Sequence, residues 1–320
     1  AMMLIDDGVL RLDAAIDALL PELADRRVLR HIDGDLDDTV PASRPITVED
    51  LLTFRLGFGF GMELLPFGES PVQVAEIELQ LKTIGPPWPP TPHSPDEWIR
   101  RLGTLPLMYQ PGERWLYNTG AQVLGVLIGR AAGKPLEAFL AERIFEPLGM
   151  GDTGFSFRAD QRDRLTTAYH ADRSVLDGPD GSYWSTPPAL PDASGWLVST
   201  LDDFWAFARM LASGGGGLLA PATVVAMTTN HVSEVQRVGA GPFLDADHGW
   251  GYGMAAPASA DGAPDEPWGF GWEGGTGTTW RTDPVTGLTG ILFTQLSMES
   301  PVAPTLYTDF WTCAREAIGR

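Results

Sequence analysis

Apolar side chains recur every three or four positions along several stretches of the chain, which is the period of amphipathic helices. The pattern predicts helices at 1–8, 46–57, 120–133 and 136–150, one that runs up to 211, one around 221–227, and one at 305–318. Ser-Pro pairs at 70–71 and 94–95 predict two further helix starts. The helix after 70 is expected to bury Val74, Ile77 and Leu81 on one face. The helix over 136–150 is expected to break at Pro147.

The last eighty residues alternate short apolar and aromatic runs with glycine. These runs predict antiparallel strands at 250–255, 268–272, 278–282 and 291–296, with a turn at 283–287. Together, the elements predict an α+β fold in which an antiparallel sheet is flanked by helices and joined to a mainly helical domain. The expected division is a sheet domain of 1–35 and 236–320, with 36–235 forming the helical domain.

Composition limits the classes of partner. The 320 residues are 43% hydrophobic, which is enough for a substantial core, and the net charge is −20. Because such a surface repels phosphate groups, we expect neither nucleic acid nor a membrane as a partner. No run of about 18 apolar residues and no signal peptide are visible, which favours a soluble, cytoplasmic protein. The single cysteine, Cys313, excludes an internal disulfide and is expected to be a small buried apolar group.

The most informative motif is Gln110-Pro-Gly-Glu-Arg-Trp-Leu-Tyr117-Asn118-Thr119-Gly120. After its Pro-Gly turn, Tyr117 lies at the start of a predicted helix, and Asn118 and Thr119 follow Tyr117 in the chain. This arrangement resembles the Tyr-x-Asn region of the penicillin-recognising serine hydrolases, which include class C β-lactamases, DD-peptidases and family VIII esterases. The segments 46–57, 144–155 and 194–204 resemble the same family in the same order. The resemblance implies the β-lactamase/transpeptidase-like fold and acyl transfer through a serine acyl-enzyme, with either Asn118 or Thr119 touching the substrate.

A second glycine-rich segment, 269–280, spells Gly-x-Gly-x-x-Gly. A dinucleotide site would need a helix after this motif, whereas a strand and a turn follow, so we expect no cofactor. In the family this place is an edge strand with Lys-Thr-Gly or His-x-Gly, and Trp272-Glu273-Gly274 resembles the Trp-x-Gly of some family VIII esterases. The resemblance implies that Gly274 allows close approach of an acyl group and that the N–H of Gly275 is an oxyanion donor. A glycine-rich strand packed tightly beside a helix is the competing interpretation.

Trp272 also bears on the substrate. β-Lactams and peptide termini carry a carboxylate, which a Lys or His at this position would bind with a charged hydrogen bond. The indole of Trp272 offers one neutral donor and a large apolar face. We therefore expect the partner to be a small-molecule acyl substrate, a neutral ester or amide, and a true β-lactamase or DD-peptidase is the alternative.

The family's nucleophile is the Ser of a Ser-x-x-Lys motif, and this motif is absent from the 320 residues. The only lysines are Lys82 and Lys134, and the residues three positions before them are Leu and Ala. A phenol with a pKa near 10 becomes a base only beside a cation, so Tyr117 would need such a Lys, or else Arg114. We expect a Ser-x-x-Lys segment just before Ala1, and no activity without it. The alternative is a non-catalytic protein that keeps the cleft for binding, with Tyr117 a buried donor to a backbone carbonyl.

Other catalytic chemistries lack their motifs. The chain has no Gly-x-Ser-x-Gly, which removes the usual α/β-hydrolase nucleophile. The histidines show no ligand spacing typical of zinc, so no metal is expected and surface or structural roles are favoured for all five: His31, His93, His170, His231 and His248.

Overall fold

The computed structural model of the chain describes residues 1–64, 66–81, 90–244, 247–258 and 269–319. Within these ranges the α-helices are α1 (Met2–Asp6), α2 (Val48–Leu52), α3 (Pro71–Glu78), α4 (Pro95–Leu102), α5 (Thr119–Ala132), α6 (Leu136–Leu140), α7 (Glu146–Leu148), α8 (Leu201–Ala212), α9 (Pro221–Met227) and α10 (Thr305–Ala317). The strands are β1 (Arg27–Leu29), β2 (Thr39–Pro41), β3 (Ala168–Tyr169), β4 (Val175–Asp177), β5 (His248–Trp250), β6 (Ala255–Pro257), β7 (Phe270–Gly274), β8 (Thr278–Thr282) and β9 (Thr289–Phe293).

Helix ends follow local capping chemistry. α4 begins after Ser94, whose hydroxyl accepts a hydrogen bond from the Glu97 N–H at 3.4 Å. α5 ends at Gly133, which has φ 65° and so adopts the left-handed conformation that glycine favours. α9 has no capping side chain of its own. Asp6 of α1 supplies one, because its carboxylate accepts from the Ala220 N–H at 2.9 Å. This contact ties the start of the chain to α9.

Three helix predictions need correction. The helix predicted over 46–57 ends at Leu52, because Phe54 takes φ 57° and turns its ring into an aromatic cluster. Val74 and Ile77 of α3 are exposed, 40% and 53%, so the predicted burial was wrong for these two, whereas Leu81 is buried as predicted. The buried polar side chain of Gln73 faces inward instead and donates to the Leu64 carbonyl at 3.0 Å.

The predicted break at Pro147 was also wrong. The helical path from Leu136 to Leu148 is continuous and widens into a π-turn at Ala141–Phe145. Proline has no N–H to donate to the preceding turn, and a π-turn placed before it accommodates the missing bond.

The main sheet is antiparallel in the order β5-β6-β7-β8-β9. Its register places Trp272 opposite Trp280 and Trp280 opposite Ile291. On this face, Phe204 of α8 packs edge-on against Trp280 at 5.5 Å. On the other face, the Trp311 indole of α10 donates to Thr279 at 3.2 Å. The predicted antiparallel sheet flanked by helices is therefore confirmed.

Some expectations about the sheet half of the chain changed. The strand predicted at 250–255 is two strands, β5 and β6, joined by a tight turn. The strand predicted at 268–272 begins at Trp268, which lies outside the described residues. The turn predicted at 283–287 is confirmed, because the Gly287 N–H donates to the Asp283 carbonyl at 2.9 Å. Cys313 is exposed rather than buried, because it lies on the outer face of α10. None of the described helices is both long and apolar enough to cross a membrane.

Candidate active site

Neighbouring loops fix the backbone of Tyr117. Its N–H donates to the Phe60 carbonyl at 2.7 Å, and its carbonyl accepts from the Phe60 N–H at 3.1 Å. One residue earlier, the Leu116 N–H donates to the Phe54 carbonyl at 2.8 Å. Gly59 approaches this segment so closely that a Cβ on it would lie 2.7 Å from the Tyr117 carbonyl oxygen. The position of the phenol is thus set by segments on either side of it.

A tight turn at Asn118 leads from Tyr117 into α5. Asn118 has φ 78° and ψ −59°, and the Thr119 N–H donates to the Tyr117 carbonyl at 3.1 Å. These values define a γ-turn that is strained for a residue with a Cβ, and such strain persists only where surrounding contacts hold it. Asn118 and Thr119 are both buried, and within the described residues the Thr119 hydroxyl has no hydrogen-bond partner.

The structure brings Tyr117 together with Trp272, although 155 positions separate them in the chain. The Trp272 indole N–H donates to the Tyr117 hydroxyl oxygen at 3.1 Å, and the two rings lie 5.8 Å apart. Because this bond uses an oxygen lone pair, the phenol keeps its own proton available for another acceptor. Both side chains are partly buried and retain some solvent-accessible surface.

Aromatic rings surround the phenol. The Phe243 ring stacks on Tyr117 with centroids 4.5 Å apart. Phe54 and Trp115 lie 6.0 and 5.9 Å from Tyr117 and are buried beneath it. Trp250 completes this floor, 4.7 Å from Phe54 and 4.8 Å from Trp272. The wall beside the Tyr117 hydroxyl is therefore apolar apart from the indole donor.

Burial raises the pKa of Tyr117, and the charges of Glu273 and Asp192 raise it further. The hydrogen bond from Trp272 opposes this effect but does not reverse it. Glu273 is itself paired with Arg281, whose Nη2 lies 2.7 Å from a carboxylate oxygen. The phenol is therefore held in its protonated form at neutral pH.

Among the described residues, Lys134 and Arg114 are two cations that contact groups other than the Tyr117 phenol. Lys134 follows the far end of α5, roughly 20 Å along the helix, and pairs with Glu142 at 2.6 Å. Arg114 packs its guanidinium over the Tyr109 ring at 4.8 Å and donates to the Val238 carbonyl at 3.4 Å. Lys82 lies outside the described residues.

Gly274 and Gly275 follow Trp272 at the end of β7. Gly274 is the last strand residue, opposite Thr278, and Gly275 lies exposed in the turn to β8. The Gly275 carbonyl accepts from the Met298 N–H at 2.9 Å. Within the described ranges, β7 pairs with β6 only at Gly271, so the following residues present a second edge without a strand partner there. An oxyanion donor needs such an open edge, and the role of the Gly275 N–H stays a prediction.

Two residues beside Tyr117 were not predicted from the sequence. Phe243 lies in a loop 126 positions after Tyr117 in the chain, and no local sequence pattern predicts that its ring stacks on Tyr117. Asp192 is different, because Asp192-Ala193-Ser194 is the spacing at which a carboxylate accepts from the residue two positions ahead. The structure shows this bond at 2.8 Å. That spacing could have identified the turn, although not its contact with α5.

The sequence pattern of the beta-lactamase family matches residues 1–307. Protein Rv1367c of Mycobacterium tuberculosis is 36% identical over 299 residues, which are 89% of this chain and 71% of that protein. Lovastatin esterase of Penicillium rubens is 29% identical over 316 residues, 91% of this chain and 74% of the esterase. Among solved structures, EstCE1, a hydrolase with promiscuous acyltransferase activity, is 25% identical with a TM-score of 0.73, covering 93% of this chain and 77% of that chain.

These likenesses confirm the resemblance first suggested by Tyr117-Asn118-Thr119 and Trp272-Glu273-Gly274. They extend over both segments, which the fold places in contact. Relatives named as an esterase and as a hydrolase with acyltransferase activity indicate serine-hydrolase or acyl-transfer chemistry in the broad sense. This chain is a member of the beta-lactamase family.

Proposed function

We propose that this chain forms the proton-transfer and binding side of an acyl-transfer site for small neutral esters. The observation that carries the proposal is the hydrogen bond from Trp272 to the Tyr117 hydroxyl. The phenol oxygen accepts in this bond, so its own proton can be donated to the leaving oxygen or carbonyl of an ester. Gly275 would supply an oxyanion N–H from the open edge of β7.

The charges around the cleft favour a neutral substrate. Glu273 and Asp192 are the charged groups that act on the Tyr117 phenol, and both are negative. A substrate carboxylate beside the phenol would meet repulsion from Asp192 and would find the neutral indole of Trp272 in place of a cation. An ester without a charge avoids both penalties and gains the apolar contact of the Phe243 and Trp272 rings.

Binding can be measured without turnover. The fluorescence of tryptophan should change when ethyl butyrate binds, because Trp272, Trp115 and Trp250 lie together at the cleft. We expect ethyl butyrate to bind more tightly than monoethyl succinate, which has a similar shape with a carboxylate, and than benzylpenicillin. Trp272→Ala should abolish the preference, whereas Trp205→Ala, a change at an exposed residue of α8, should leave it intact. Equal or tighter binding of the carboxylates would refute the proposal.

Catalysis needs a nucleophile that the 320 residues do not contain in Ser-x-x-Lys form. The proposal for the enzyme therefore takes its Ser and Lys from sequence outside residues 1–320. The second candidate is an ester-binding protein without chemistry, which uses the contact between Trp272 and Tyr117 for binding alone. The codons before Ala1 separate the two: an in-frame Ser-x-x-Lys supports the enzyme, and its absence supports the binder.

The same logic predicts that the 320 residues bind esters without cleaving them. p-Nitrophenyl butyrate should be hydrolysed no faster in their presence than in buffer. Hydrolysis that a serine-directed phosphonate inhibits and that Tyr117→Phe abolishes would show that a nucleophile is present and would contradict this prediction.

A further inference from the structure

A buried carboxyl group joins α5, the helix that follows Tyr117, to the loop that leads into α8. One oxygen of Asp192 accepts from the Gln122 side-chain amide at 2.8 Å. Its other oxygen accepts from the Ser194 N–H at 2.8 Å and from the Ser194 hydroxyl at 2.6 Å. Gln122 lies in the first turn of α5, five positions after Tyr117. Asp192 is 3% exposed, so this junction lies inside the protein.

Neutral donors surround the Asp192 carboxyl group. Three donors favour the ionised carboxylate, while burial raises the pKa of Asp192. In the part of the chain that the structure describes, no Lys, Arg or His forms an ion pair with it. An uncompensated buried charge is unfavourable for stability, and such groups concentrate at functional sites. The location of Asp192 beside the first turn of α5 fits that pattern.

We propose that Asp192 is a positioning residue of the Tyr117 site. Through Gln122 and Ser194 it locks the first turn of α5, and with it the phenol, to the loop before α8. The inference rests on the proposed role of Tyr117 as the proton-transfer group. The chain thereby holds the strained turn at Asn118 between two fixed points, the Phe60 backbone on one side and the Asp192 junction on the other.

Asp192 also acts on the phenol through its charge. Among the described residues, the negative charges of Glu273 in β7 and Asp192 in the loop both raise the pKa of the Tyr117 phenol. Arg281 compensates Glu273 with two hydrogen bonds to one carboxylate oxygen, at 3.2 and 2.7 Å. Asp192 is left as the uncompensated charge. Removing it should therefore change the acidity of the phenol as well as its position.

The test compares Asp192→Asn with Asp177→Asn. Asp177 is a control because it is also buried and accepts from the Ser182 hydroxyl at 2.8 Å and the Tyr183 N–H at 3.0 Å, neither of which belongs to α5. The indole ¹⁵N–H resonance of Trp272, assigned with Trp272→Phe, reports the hydrogen bond to Tyr117 at neutral pH. The ¹³Cζ signal of Tyr117, assigned with Tyr117→Phe, reports the titration of the phenol.

Asp192→Asn should shift the Trp272 indole signal and lower the pKa of Tyr117, because one of the negative charges that raise this pKa is removed. Asp177→Asn should leave both signals in place even if it lowers the unfolding midpoint. If Asp192→Asn does not fold, Ser194→Ala removes one of the three hydrogen bonds and should shift the Trp272 indole signal by a smaller amount. Unchanged Trp272 and Tyr117 signals in the folded variant would overturn the proposal. Failure of ethyl butyrate to bind, with the shifts present, would instead overturn the proposed function.

Discussion

Gly120 is the point at which α2 touches the start of the helix behind Tyr117, and replacing it with Ala should destabilise the chain. A Cβ at Gly120 would lie 2.7 Å from the Leu51 carbonyl oxygen and 2.9 Å from Phe54 Cδ1. The carbonyl belongs to backbone that cannot move alone, so overpacking should cost about 1–3 kcal/mol. At Gly129 in the same helix, the nearest atom to a Cβ is the Lys134 carbonyl oxygen at 3.4 Å. There the change to Ala should stabilise the fold by about 0.5–1 kcal/mol, the usual helical preference for Ala over Gly.

The two variants should therefore differ by about 1.5–4 kcal/mol in the free energy of unfolding, with opposite signs relative to the parent chain. Urea unfolding, followed by circular dichroism and by tryptophan fluorescence, measures both changes. Gly120→Ala should also displace Phe54, whose ring lies 6.0 Å from that of Tyr117, and so weaken binding of ethyl butyrate. The packing argument is wrong if Gly120→Ala is as stable as Gly129→Ala.

Three further predictions use the same measurements. Asn118→Gly should be more stable than Asn118→Ala by about 0.5–2 kcal/mol, because both variants lose the side chain and only Ala has a Cβ that strains the backbone at φ 78°. Equal stabilities would show that the turn is not strained. Glu273→Gln should destabilise the fold by about 3–5 kcal/mol, because it leaves the Arg281 side chain, which is 11% exposed, without its charge partner. The same change should lower the pKa of Tyr117. A loss of stability below about 1 kcal/mol in urea unfolding would contradict the burial argument. Burial raises the pKa of Tyr252 to about 12, whereas an unfolded phenol titrates near 10. The stability due to Tyr252 is therefore complete below pH 10 and is lost as the pH rises to about 12, and Tyr252→Phe should flatten that part of the pH profile of stability.

Much of the fold could be predicted because its signals are local. Ser94 and Gly133 fix helix ends through their own hydrogen bonds and backbone angles, so single positions sufficed. The strands β7 to β9 were visible because glycine and aromatic residues alternate at short spacing. Tyr117 and Trp272 were found through the family resemblance, which supplied the pairing that local pattern could not.

Two of the errors, in α2 and α3, share a cause, which is contact with other segments. Val74 and Ile77 have the spacing of an apolar helical face, but they are exposed. Gln73 and Glu76 face the interior of the protein instead, where they have interaction partners. Phe54 ends α2 early since its ring joins Trp115 and Trp250, 61 and 196 positions away. Periodicity measures which residues could share a face and contains no information on which face the rest of the chain covers.

The site's chemistry follows from one asymmetry around the Tyr117 oxygen. Trp272 donates to it, so a lone pair is occupied while the phenolic proton stays free to be given away. Burial and the charges of Glu273 and Asp192 keep that proton in place, which makes the phenol a hydrogen-bond donor and a poor base. To deprotonate a serine, the same phenol would need a cation close enough to reverse the effect of both carboxylates. Under the proposed function, Tyr117 alone therefore donates to an ester oxygen without activating a nucleophile, so ester binding and ester cleavage should require different sets of residues.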